Sequence, residues 1–381
     1  MKFWLKRTFR AATVVLALTF CAGAADLTGM LVVAGPAAAQ ALDKPPGGTL
    51  GNTSDSDLWR TLRGGFRGNV AYPDRQMGVA IQSEGDNWRA IRNGPLSIYG
   101  AWLLLVVIVV LGVFFALRGR IRIDAGASGN TIERFVAFER FVHWLTAGSF
   151  IVLALTGLNM LYGRYLFAAG PAGTGGDFTA VHTVFAAIMY YGKFVHNFIG
   201  FAFGVGVVLT FVIWIRHNIL DKYDLVWLAK AGGMFAKGVH PPARKFNAGQ
   251  KIVFWVVVIA GVSITWSGVV LMFPYEFSPF SGTFAIMNLV GFNLPTDLTP
   301  LQEMQITQVW HAAVALVFIA VIIGHIYIGT LGMEGAFDAM YTGHVDENWA
   351  REHHSVWVAE IKGEPSSGVG GDHGKSEQPA E

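Results

Sequence analysis

The chain has 381 residues, 53% hydrophobic and 14% charged, with a mean hydropathy of +0.44. That balance excludes an ordinary soluble domain and predicts a polytopic membrane protein. A net charge of +2 gives no ground for a nucleic-acid partner, and the single cysteine, Cys21, excludes a disulfide framework, a thiolate zinc site or an iron–sulfur cluster held within the chain.

The N-terminus reads as an export signal over residues 1–40. Lys2, Lys6, Arg7 and Arg10 form a basic region, Ala11 to Cys21 an apolar one, and small residues near 24 and near 39 offer two cleavage sites. Residues 41–95 turn polar and Gly-rich and read as a small periplasmic segment without a periodic core. Five apolar stretches follow, each about long enough to cross a ~30 Å hydrocarbon core as a helix. They are Leu96–Leu117, His143–Leu161, Phe194–Trp214, Ile252–Phe273 and Ile306–Leu331. The expected fold is therefore all-α: a four-helix membrane bundle over 132–332, one additional N-terminal span over 96–117, and a tail over 333–381 that is disordered at its end.

Lys and Arg alternate along the connections. Residues 118–142 carry Arg118, Arg120, Arg122, Arg134 and Arg140, whereas 162–193 carry only Arg164 and Lys193. Residues 215–251 carry Arg216, Lys222, Lys230, Lys237, Arg244, Lys245 and Lys251; 274–305 carry none; the tail carries Arg351, Lys362 and Lys375. The positive-inside rule then places the first, third and fifth of these segments in the cytoplasm, so the 41–95 segment is periplasmic and the C-terminus cytoplasmic in a bacterial inner-membrane protein.

The first span carries no ionisable group and reads as an anchor or a packing helix. The other four bear histidines. His311 and His325 are 14 residues apart, about 40° short of four turns and about 21 Å apart along the axis, so both rings leave one face at opposite ends. His143 begins the second span at its cytoplasmic end and His196 begins the third at its periplasmic end. Depth sorts the four into His143 with His325 and His196 with His311. Two imidazoles from two helices at one depth are what a six-coordinate haem b needs, so the pattern predicts two haems b. The plain alternative is that each ring bonds a neighbouring carbonyl or hydroxyl. His182 and His240 read as loop residues, and His217, His344, His353, His354 and His373 as surface or interfacial ones. Arg140 and Arg216 are candidate partners for haem propionates. Asn247 and Gln250 precede the fourth span, where they could bond a quinone carbonyl or cap the helix; spacing alone favours the cap.

In this order, RFVHW, the His196 helix, RHNILDKYDLVWL, KFNAGQKIVFW, WHAAVAL and GHIYIG resemble the gamma subunit of respiratory formate dehydrogenase, a dihaem cytochrome b (b556). WAREHHSVWVAEI looks like its C-terminal region, and the resemblance covers roughly Ile132 to Lys362. It implies electron transfer in anaerobic respiration, from a molybdenum or tungsten alpha subunit through an iron–sulfur beta subunit to this chain. It also implies that His196 and His311 hold the periplasmic-side haem, that His143 and His325 hold the cytoplasmic-side one, and that Asn247, Gly249 and Gln250 match the menaquinone or ubiquinone pocket. The first ~130 residues are additional to that pattern. RFxHW alone is shared with hydrogenase subunits, so a cytochrome b of a nickel-iron hydrogenase or another periplasmic oxidoreductase is the neighbouring alternative, and a non-redox membrane anchor the distant one.

Overall fold

The computed structural model describes residues 85–167 and 179–365. The expected signal, nearly all of the 41–95 segment and the end of the tail lie outside these residues. Helix α1 (Gly85–Ile91) passes through a π-helical turn at Arg92–Leu96 into α2 (Ser97–Arg118). Strand β1 (Thr131–Glu133) precedes α3 (Ala137–Phe167), α4 (Thr179–Trp214), the short α5 (Lys222–Ala229) and α6 (Ala248–Met272). Then come α7 (Pro279–Leu289), α8 (Pro300–Tyr327), α9 (Asp338–Tyr341), strand β2 (His344–Asp346), α10 (Glu347–His353) and α11 (Ser355–Lys362).

Among the described residues five helices are long and apolar enough to cross a membrane: Asn87–Arg118, Ala137–Gly163, Ala187–His217, Ala248–Met272 and Pro300–Gly332. They coincide with the five expected spans except at their ends, where polar turns extend the helices beyond what hydropathy registers. The first span starts well before Leu96 because Gly94 (φ −102°, ψ −106°) absorbs the break that Pro95 imposes, and the helix resumes on its far side. His182, expected in a loop, stands in the first turns of α4.

The described residues form two compact units, one of 85–89 with 275–306 and one of 90–274 with 307–365. In the first, Ser278 makes no cap bond to α7. Glu303, 1% exposed, does that work: its carboxylate accepts from Phe280 N (2.9 Å), Ser281 N (2.7 Å) and Ser281 Oγ (2.6 Å).

The second unit holds the bundle. Lipid is as apolar as leucine, so close packing rather than water exclusion joins helices within a membrane. Helix α4 meets α3 where a Cβ on Gly206 would lie 2.5 Å from Thr146 Oγ1, and meets α6 where one on Gly261 would lie 2.8 Å from Val207 Cγ2. At mid-bundle Phe150, Phe203 and Phe318 from α3, α4 and α8 form one aromatic layer, with centroids 4.7–6.2 Å apart. Each stands seven residues, two helical turns, beyond His143, His196 and His311 respectively, and Phe318 stands seven before His325. The layer therefore separates the two histidine levels.

Helix α2 is fastened at its two ends. Gly100 lies against Leu316, and Tyr162 Oη donates to Ser97 O (2.8 Å). At the other end Phe114 and Phe115 meet Tyr327 edge-on, and Arg118 Nε donates to Met234 O (2.9 Å). Its middle turns expose Leu105, Val106, Ile108, Val109 and Val110, as a lipid-facing helix does.

In the tail His344 is exposed as expected and His373 lies outside the described residues, but His354 departs from the expectation of a surface histidine. Thr131, Ile132 and Glu133 pair antiparallel with Asp346, Val345 and His344. Asp346 Oδ1 caps α10 through Asn348 N (2.9 Å) while its Oδ2 accepts from Ser128 N (2.8 Å) and Oγ (2.9 Å). The chain is thus folded as far as Pro365, and His354 is fully buried.

Candidate functional site

Helices α3, α4 and α8 bring the four predicted histidines into two pairs. His143 and His325 have ring centroids 6.3 Å apart, and His196 and His311 have theirs 6.2 Å apart. A bond from imidazole nitrogen to a first-row metal is about 2.0–2.1 Å, so one metal between two rings, each with a centroid about 1.2 Å behind its nitrogen, puts the centroids about 6.4 Å apart. Both pairs match. Among the described residues no three His, Cys, Asp or Glu side chains converge as a metal cluster. Two imidazoles alone leave the rest of an iron's coordination to its own macrocycle, which is the donor set a porphyrin complements.

The two levels differ in what stands behind the rings. His196 Nδ1 lies 2.8 Å from Thr156 Oγ1, and His311 Nδ1 lies 2.9 Å from Ser267 Oγ. Both hydroxyls also donate to carbonyls of their own helices, Thr156 to Val152 O (2.7 Å) and Ser267 to Ile264 O (3.1 Å). Their oxygens are therefore acceptors toward Nδ1–H, which leaves each Nε2 as a lone pair. Gly157 and Gly268 flank these rings, with built Cβ positions 3.3 Å and 3.5 Å from the Cε1 atoms of His196 and His311. At the other level, His143 Nδ1 is buried without a hydrogen-bond partner among the described residues. Sequence reasoning missed Thr156 and Ser267, because a lone hydroxyl in an apolar helix reads as one bonded to its own backbone.

Asn247, Gly249 and Gln250 gather at the start of α6. Gln250 N donates to Asn247 Oδ1 (3.0 Å) and Asn247 N donates to Gln250 Oε1 (3.1 Å), a complete capping box. A Cβ on Gly249 would lie 2.8 Å from Trp227 Cη2, so only glycine lets that indole close on the helix start. The next residue, Lys251, is 1% exposed and donates to Ile219 O (3.1 Å), Asp221 Oδ2 (3.0 Å) and Asp224 Oδ2 (2.8 Å). Of the expected propionate partners, Arg140 Nη1 donates to Tyr341 O (2.8 Å) and Arg216 Nε to His217 Nε2 (3.0 Å). Arg140 Nε is buried without a partner.

A second group, unseen in the sequence, abuts the capping box. Arg134 is buried, with its guanidinium carbon 5.4, 5.1 and 5.3 Å from the rings of Phe135, Trp349 and Trp357. Burial lowers its pKa to about 9, while Glu139 pulls it upward. Burial likewise lowers His353 to about 4 and His354 well below the usual imidazole range, so both rings are neutral at pH 7.

The comparisons with known proteins point the same way. A family model described as prokaryotic cytochrome b561 matches residues 134–343. The cytochrome b556(fdo) subunit of formate dehydrogenase from Escherichia coli K12 is 28% identical over 233 residues, 61% of this chain and 94% of that protein. The nitrate-inducible cytochrome b556(Fdn) subunit of the same strain is 27% identical over 238 residues, 62% of this chain and 94% of that protein. The Haemophilus influenzae formate dehydrogenase cytochrome b556 subunit is 25% identical over 223 residues, 58% of this chain and 79% of that protein.

Proposed function

The chain belongs to the prokaryotic cytochrome b561 family, and from that premise we propose that it is the membrane cytochrome b subunit of a formate dehydrogenase, carrying electrons from a periplasmic iron–sulfur partner through two haems b to quinone. Its likeness to formate dehydrogenase cytochrome b556 subunits supports formate as the substrate of the complex. Formate oxidation itself then belongs to a molybdenum or tungsten partner subunit, and the complex sits in the bacterial inner membrane.

His196 and His311 would hold one haem b and His143 and His325 the other. Haem b supplies reversible one-electron exchange at iron. The protein does the rest. Thr156 and Ser267 fix the tautomers that leave each Nε2 as the free lone pair, and the Phe150–Phe203–Phe318 layer keeps the two levels dry and apart. Asn247, Gly249 and Gln250 form the quinone end, where a partly exposed carboxamide can meet a carbonyl oxygen. The excess of Lys and Arg beside that end marks it as cytoplasmic, so quinone takes its protons from the cytoplasm. Each electron then crosses against the membrane potential at about 2.3 kcal/mol per 100 mV, and the redox gap between formate and quinone drives it.

The carrying observation is the pair of 6.2–6.3 Å histidine separations, one at each end of the α3–α4–α8 core. A pyridine haemochrome assay on the purified subunit should give about two haems b per chain. His311→Ala should remove one of them, and an unchanged count in that variant would overturn the ligand assignment. Co-purification with iron–sulfur and molybdenum or tungsten subunits, and haem reduction by formate, test the complex.

A further inference from the structure

The backbone leading into the capping box is gripped at three consecutive carbonyls, and the grip comes from distant parts of the sequence. Trp357 N donates to Ala243 O (3.3 Å), His354 Nδ1 to Arg244 O (2.7 Å) and Arg134 Nη2 to Lys245 O (2.6 Å). The same Arg134 Nη2 also reaches Gln250 Oε1 at 3.4 Å. Gln250 Oε1 therefore faces two donors, the Asn247 N–H and the guanidinium. A flipped amide would turn its NH2 group toward both, leaving donor against donor with no acceptor between them. We propose that Arg134 is a positioning residue for quinone reduction: it holds the Gln250 carboxamide with its oxygen inward, so that its NH2 group is the donor offered to a quinone carbonyl oxygen. This rests on the reading of Asn247 and Gln250 as the quinone end.

The geometry makes the arrangement stable. A buried cation needs compensation, and here the three aromatic rings around the guanidinium give it a face-on seat. Two of those rings, Trp349 and Trp357, come from α10 and α11. The C-terminal segment thus reaches the quinone end through Arg134. Arg134 Nη1 remains buried with no partner, as do Trp349 Nε1 and the Nε2 atoms of His353 and His354. Three of these atoms surround the cation and the fourth is its own, so polar groups cluster here among the described residues.

The test uses the purified complex, with a short-chain ubiquinone and a menaquinone analogue as acceptors. Gln250→Leu should raise the quinone KM about tenfold, the size of one lost hydrogen bond, with kcat and haem content little changed. Arg134→Gln should raise KM by less, because the Asn247 N–H still faces Gln250 Oε1, and the double variant should be no worse than Gln250→Leu alone, because Arg134 acts only through the Gln250 donor. Arg134→Lys, which keeps a charged donor, should fall between. A wild-type KM in Arg134→Gln, or multiplicative losses in the double variant, would overturn the proposal while leaving the quinone end intact. A wild-type KM in Gln250→Leu would overturn the quinone reading itself. Should Arg134→Gln lose haem, Gln250→Glu decides: it still accepts from Arg134 but offers no NH2 group, so its KM must rise with haem retained, and an unchanged KM refutes the donor role.

Discussion

Thr156 and Ser267 are small side chains with a large consequence. Each sits on a neighbouring helix rather than on the histidine's own, so each ties ring orientation to helix packing: α3 to α4 through His196, α6 to α8 through His311. Hydrogen-bond partners of metal-ligating histidines are typically worth about 10–100-fold in affinity. Thr156→Val and Ser267→Ala, which keep the volume or reduce it slightly, should therefore lose haem from the His196–His311 level during detergent washing at rates that leave the His143–His325 level untouched. Spectra of the washed variants, compared with wild type for the proportion of haem retained, check this. Equal loss at both levels would break the link between those hydroxyls and one site. The histidines were legible in the sequence because 14 residues is close to a whole number of turns, a property of one helix. The hydroxyls were not, because their role exists only once two helices are side by side.

At the scale of elements, the C-terminal segment shows why a polar composition can mislead. Residues 344–362 read as tail, since charge and histidine dominate as far as His354 and the apolar run that follows is too short to span a membrane. Their burial depends on partners more than 80 residues away: β1 for β2, Arg134 for Trp349 and Trp357, and Arg244 O for His354. The spans, by contrast, need only lipid and their own backbone bonds, so hydropathy located all five. The buried histidines give this segment a pH dependence whose sign is fixed. Folded His353 is lowered to about 4, first by burial and then by His240 and Arg134, with Asp124 opposing. Folded His354 is likewise held well below the ordinary value, first by burial and then by Arg134, against the Arg244 carbonyl. Unfolded imidazole binds its proton near 6.5, so below that pH the unfolded segment holds more protons than the folded one. Stability is complete above about 6.5 and falls, as pH drops toward 4, by about 1.4 kcal/mol per unit for each histidine. Hydrogen exchange over 344–362 should quicken between pH 7 and pH 5 once corrected for intrinsic rates, while exchange in α4 and α8 stays constant. Slower corrected exchange at pH 5 would contradict the neutral assignment.

Across the whole molecule, two asymmetries point in one direction. The first is hydrogen bonding: both rings at the His196–His311 level have a hydroxyl accepting from Nδ1–H, whereas His143 has none. An imidazole whose N–H is hydrogen-bonded is the stronger electron donor to iron, which favours the ferric state and lowers the reduction potential. The second is charge. Arg134, Arg140, Arg216 and Lys245 belong to the segments around the His143–His325 level, while the 274–305 connection leading into His311 has no Lys or Arg. Nearby cations favour the electron-richer ferrous state and raise the potential. With the two proposed haems in place, the same excess of positive residues would raise the potential at the His143–His325 level and so favour electron flow toward it from the hydroxyl-backed pair. A redox titration of the purified complex should resolve two one-electron haem transitions, and His311→Ala should delete the lower one. If that variant keeps the lower transition and loses the upper, the internal gradient runs the other way and the proposed direction of electron flow is wrong.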